Sequence, residues 1–239
     1  MVDYTLAAPV SALLELGEPQ PTQEFAWPDY RAYGVCSKHT PALIKLATDH
    51  NLLQMTDEDN PCAWGPVHAW RALGQLQAVE AIGPLMALFH EVHDNEWVIE
   101  EMPDVFALIG PPAFTSLVDY LNNPGYPVYS RMVAAASLMQ IAQRAPTLRD
   151  RTVEVLAGQL VKFHENSPGM NGVLIAHLIE LDAYEKADLI HSVFSACKVD
   201  RFIVGDWRDV RLRLRRAQET ANRHIDRKMD GAEPKPSMP

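Results

Sequence analysis

The chain has 239 residues, 47% of them apolar, and a formal net charge of −10. That length and apolar content suit one large domain or one elongated array. The acidic balance makes the chain a poor generic nucleic-acid binder, because phosphate contact needs Lys and Arg.

The charge is unevenly spread. Residues 1–200 carry 11 basic and 25 acidic side chains, whereas residues 201–228 carry 9 basic and 4 acidic. Three cysteines, Cys36, Cys62 and Cys197, form no C-x-x-C pair. An odd number without that spacing suits a reducing compartment better than a disulfide framework. The N-terminus lacks the basic start of a signal peptide. No apolar run approaches the roughly 20 residues of a membrane span. The expectation is a cytoplasmic protein without a membrane partner.

In chain order, residues 1–38 read as an irregular cap or arm, with "GEPQPTQEFAWPDY" at 17–30 showing no helical spacing. Residues 39–53 hold a weak first helical unit. In 66–76, Val67, Trp70, Leu73 and Leu76 recur at three-residue steps, which predicts a helix. In 80–90, Ala81, Leu85, Leu88 and Phe89 share a second helical face. The intervening "GQLQA" is a tight turn, so the two make an αα-hairpin. The pattern returns at 106–117, again from Tyr129 with a helix start at Pro146, and at 181–194. "LDAYEKADLIHSVF" lines up with "LQAVEAIGPLMALF" at an offset of 105. Pro111-Pro112, Asn122 to Gly125, and Ser167 to Gly169 interrupt helices between units.

Helical pairs cannot bury their apolar faces alone, and stacking buries a continuous core. The fold class expected is therefore all-α, an α-solenoid of four to five helical hairpins over 39–200. A basic capping helix is expected over 201–228, and a tail over 229–239.

"RALGQLQAVEAIGPLMAL" and "RMVAAASLMQIA" resemble the HEAT-like repeat of the phycobilisome-lyase type. The block from "PVHAWRALGQL" to "WVIEEMPDVFALIG" also resembles an uncharacterised bacterial HEAT-like family. The resemblance implies a solenoid and leaves the activity open, since such proteins serve as scaffolds, lyases, regulators and a few enzymes. One HEAT-like enzyme, deoxyhypusine hydroxylase, holds two irons through recurring His-Glu pairs. His90-Glu91 and His164-Glu165 are such pairs, but both end a second helix rather than occupying the first-helix slot that the family uses.

Four constellations carry candidate chemistry. His90, His93 and Asp94 sit at i, i+3 and i+4, where three ligands share one face of a helix. A metal usually takes ligands from more than one element, and a helix end also favours His through its dipole. His68 and Asp104 occupy equivalent positions in neighbouring first helices, at an offset of 36. They make a candidate polar pair that fixes register.

Glu96, Glu100, Glu101 and Asp104 gather at one helix start and form a candidate acidic face. Trp97 among them reads as packed. Arg208, Arg211, Arg215 and Arg216 make the final helix Arg-dense, suited to capping the array or to clamping carboxylates bidentately.

No phosphate-binding Gly-rich loop and no G-x-S-x-G is present. The sequence reading is a scaffold that binds another protein, with no catalysis inferred from its motifs and no cofactor predicted. Glu96, Glu100, Glu101 and Asp104 with Arg208, Arg211 and Arg215 form its contact surface. Reversal of Glu100 and Glu101 to Lys is then expected to abolish capture without altering melting. The alternatives are a lyase or chaperone for a tetrapyrrole-carrying protein, and a metal-dependent hydroxylase.

Overall fold

A computed structural model describes residues 6–19, 27–55, 57, 59–91 and 96–230. The described residues are all-helical, with no strand among them. The chain divides into two compact units, residues 1–149 and 150–239.

In the first unit, short 3-10 turns at Val10–Glu15 and Tyr30–Tyr33 lie in the N-terminal arm. Then come α1 (Thr40–Ala47), α2 (His50–Leu53), α3 (Gly65–Gln75), α4 (Ile82–Ala87), α5 (Glu96–Ile109), α6 (Phe114–Asn122) and α7 (Val128–Arg144). The arm is less irregular than its sequence suggests. Val10, Leu13, Tyr30 and Val35 are all buried, so the arm contributes to the core. Helix α1 packs on α3, α3 on α5, and α5 on α7, while α6 covers α7.

In the second unit, α8 (Arg149–Leu160, its first residue at the boundary), α9 (Pro168–Glu180), α10 (Ala187–Ser195), α11 (Arg201–Val204) and α12 (Trp207–Asp230) follow. Ser167 caps α9 by accepting from the Met170 N–H, with Pro168 at the first helical position, where its missing N–H costs nothing. Helix α9 packs on α11 and α12, and α10 on α12. Gly172 lets α11 approach: a Cβ there would lie 3.1 Å from the Asp200 carbonyl and 3.3 Å from Ile203.

The sequence repeat at offset 105 has a structural counterpart. Gln77 and Asp182 both adopt left-handed backbone, φ 54° and 52°. Each ends its helix with the same pair of closing hydrogen bonds. Ala78 N–H donates to Leu73 C=O at 3.0 Å and Ala183 N–H to Leu178 C=O at 2.9 Å. Gln77 N–H donates to Gly74 C=O and Asp182 N–H to Ile179 C=O. This is the Schellman closure, which satisfies carbonyls that the helix end leaves free. A 3-10 turn follows in both places, Val79–Ala81 and Tyr184–Lys186.

Helix α5 runs unbroken through Pro103, where the sequence would allow a stop. Proline removes one backbone donor, so the Ile99 carbonyl loses its helical partner. The Ile99 side chain is among the exposed apolar residues, which puts that turn at the water-facing side.

Candidate functional site

Helix α3 is buried almost along its whole length, including its polar residues His68 and Arg71. A buried charge is costly unless it is paired and hydrogen-bonded. Arg71 meets that need on α5. Its Nε donates to Glu101 Oε2 at 2.8 Å and its Nη2 to Glu101 Oε1. Trp70 Nε1 adds a third donor to the same carboxylate, at 2.9 Å to Oε2. The Arg71 guanidinium also stacks 5.1 Å from the centre of the Trp27 ring. Burial disfavours the Arg71 charge, but the hydrogen bonds and attraction of Glu101 outweigh it and raise its pKa.

His68, Arg71 and Gln75 share one face of α3, at i, i+3 and i+7. They hold the N-terminal arm. The Tyr30 hydroxyl lies 2.7 Å from His68 Nδ1, and His68 Nε2 lies 2.9 Å from the Gly17 carbonyl. A carbonyl only accepts, so Nε2 carries the proton and Nδ1 accepts from Tyr30. Gln75 Nε2 donates to the Pro28 carbonyl at 2.8 Å, and its Oε1 accepts from the Tyr30 N–H at 3.0 Å. Arg31 Nη2 donates to the Gln75 carbonyl at 2.8 Å. Burial lowers the pKa of His68, with the Arg71 charge acting in the same direction and the Gly17 carbonyl against it. Burial raises that of Tyr30, partly offset by Arg71.

This cluster is built for holding rather than for turnover. A general base must reach a substrate proton. His68 has both ring nitrogens occupied and is 3% exposed.

The residues singled out from sequence fall in several environments. His68 and Asp104 make no pair, since Tyr30 and Gly17 take both His68 nitrogens. Trp70 and Arg71, meeting Glu101, join α3 to α5 instead. Asp104 is half-buried; burial raises its pKa, Arg144 opposes this and Glu101 adds to it.

The acidic face also divides. Glu96 and Glu100 are exposed, whereas Glu101 is 7% exposed and bound to Arg71. Glu101 is therefore not a contact residue for a partner, and its reversal to Lys would set two buried cations against each other. Trp97 is half-buried, edge-on to Trp64 with ring centres 5.1 Å apart.

His93 and Asp94 lie outside the described residues. His90 is exposed, yet its ring sits 5.1 Å from that of Tyr126 and 5.7 Å from that of Tyr120. His164 lies against Phe163, with ring centres 4.1 Å apart. Among the described residues, no three His, Cys, Asp or Glu side chains are placed to hold a metal ion.

On α12, Val210 and Leu214 are buried and Trp207 is half-buried. The outer surface carries Arg208, Arg211 and Arg215 on one stripe, at i, i+3 and i+7, and Arg216 on another. Arg215 Nε donates to Glu219 Oε1 at 2.9 Å and Arg213 Nη2 to Glu180 Oε1 at 2.8 Å. Arg208, Arg211 and Arg216 make no ion pair among the described side chains. Leu212 is exposed. Between the end of α9 and α12 lies an open groove of about 450 Å³, with Ile179, Leu214 and Ala217 as apolar lining and Glu180, Asp182, Arg213 and Arg216 as its charges.

Sequence reasoning passed over Arg71, Tyr30 and Gln75. One signal was available for Arg71: a lone cation inside the apolar run "HAWRALG" needs a buried partner. Nothing local marks Tyr30, because its partners lie 38 and 45 residues away. Compared with protein-family models, curated proteins and solved structures, the chain matches none of them.

Proposed function

We propose that this protein is a helical binding module that holds an acidic protein partner against α12, with its helical pairs stacked as an α-solenoid. The observation that carries the reading is the outward row of guanidinium groups, of which Arg208 and Arg211 make no ion pair among the described side chains. Unpaired arginines at one helix face suit bidentate capture of carboxylates. Exposed Leu212 and the apolar lining of the neighbouring groove add surface for side chains between those carboxylates.

Protein is the better fit than nucleic acid. Asp209, Glu219 and Glu180 are interspersed with the arginines and would repel a continuous phosphate backbone. The solenoid arrangement draws support from the succession α1–α3–α5–α7 in the first unit, each helix packed on the next but one in sequence.

The test is quantitative affinity capture from the source extract with the wild-type chain and with Arg208→Glu/Arg211→Glu. Both positions are exposed, so the double variant is expected to melt within about 0.5 kcal/mol of wild type. Acidic proteins held by wild type and lost by the variant support the reading, more so if salt weakens their capture. An unchanged set of captured proteins sinks it.

A further inference from the structure

We propose that the Trp27–Val35 segment is a proton-sensitive strap: protonation of His68 disfavours the closed Tyr30–His68 contact and loosens this segment from α3. The inference concerns the first unit and does not depend on the function proposed for α12.

The closed strap has a fixed hydrogen-bond direction. His68 donates from Nε2 to the Gly17 carbonyl and accepts at Nδ1 from the Tyr30 hydroxyl. The charged groups acting on His68 are Arg71, from its own helix, and Glu101, from α5; Glu101 is already engaged with Arg71 and Trp70. Tyr33 lies beyond Tyr30, with ring centres 6.3 Å apart.

Protonated imidazole is a donor at both nitrogens. Tyr30 would then have to turn its own proton elsewhere, while the Arg71 cation also acts on its phenol oxygen. The new charge would sit in a site where burial already disfavours it, beside Arg71. Opening the strap lets the imidazolium meet water. Val10 and Leu13 belong to a separate turn, Val10–Glu15, and are buried there.

The size of the response has a ceiling. An opened His68 titrates near its ordinary pKa of about 6.5, so lowering the pH from 7.5 to 5 shifts the balance toward the open form by at most about thirtyfold. The readout is hydrogen exchange of the full-length protein at pH 7.5, 6 and 5, corrected for intrinsic exchange. The strap amides to follow are those of Tyr30, Gly34 and Val35, which donate to Gln75, Arg31 and Tyr30.

Their protection is expected to fall with pH by up to that factor while α7 stays protected. The fall should begin near pH 6.5, while the His68 ring in a long-range proton–nitrogen spectrum, which reports the closed majority, titrates at lower pH. The response should disappear in His68→Gln. If that variant does not fold, the wild-type pH course of strap protection against that of α7 decides alone. Strap protection that is flat with pH, that falls together with α7, or that follows another histidine overturns the proposal.

Discussion

Helices α3 and α12 spend the same side chain in opposite ways. Arg71 on α3 is 6% exposed, forked onto Glu101 and stacked on Trp27. Arg208 and Arg211 on α12 are exposed and make no ion pair among the described side chains. The first arrangement fixes geometry, because a buried guanidinium tolerates only the partner that satisfies it. The second leaves charge free for something outside the chain. Position relative to the core, rather than residue type, separates the arginine that builds this protein from those that can bind.

The largest effect that would break this comparison is at Glu101. Glu101→Ala strands the Arg71 cation in the core and is expected to cost about 3–5 kcal/mol in urea unfolding. Glu100→Ala, one residue earlier but exposed, should fall within about 0.5 kcal/mol of wild type. The double variant Arg71→Met/Glu101→Leu removes both charges and should recover most of the loss. A Glu101→Ala loss below about 1 kcal/mol would show that water reaches the pair.

That contrast also marks how far the sequence was legible. Helical spacing and turn residues indicated an all-α fold and located α3, the α5–α6 break at Pro111-Pro112 and the start of α7. Even the offset-105 repeat reappears, in the left-handed Gln77 and Asp182. The acidic face was misjudged for a physical reason. Adjacent helical residues point about 100° apart, so Glu100 and Glu101 cannot both face the same partner. Which of them turns inward depends on Arg71, 30 residues away on another helix, and local pattern does not contain that. The clamp on the arm was hidden for the same reason, since Tyr30, Gly17 and Pro28 meet α3 only through the fold.

The second unit supplies a smaller test through His177. Its Nε2 is buried without a hydrogen-bond partner, unlike either nitrogen of His68. Burial pushes its pKa down to about 4, with nearby Glu180 opposing. The sign follows from proton uptake. The unfolded chain binds a proton near pH 6.5, and the folded protein does not until about 4. Stability contributed by the neutral ring is therefore full above pH 6.5 and is lost as the pH falls toward 4. Between pH 7.5 and 4.5 the loss should be on the order of 2–3 kcal/mol, read from urea unfolding of the wild type. His177→Leu should remove that part of the slope; an unchanged slope would place the titration elsewhere.

The smallest expected effect comes from the ion pair most like Arg71–Glu101 on paper. Arg213 donates to Glu180 at 2.8 Å across α12 and α9, a contact as short as that of Arg71 Nε. Its side chains, however, are 50% and 49% exposed. Water and salt screen such a pair, and ordering two long side chains offsets much of the attraction. Arg213→Ala should therefore cost about 0.2–1 kcal/mol, and that cost should shrink further in 0.5 M salt. A cost approaching that of Glu101→Ala would mean that distance, not burial, governs ion pairs in this protein. It would then remove the reason for separating the arginines of α12 from the one in α3.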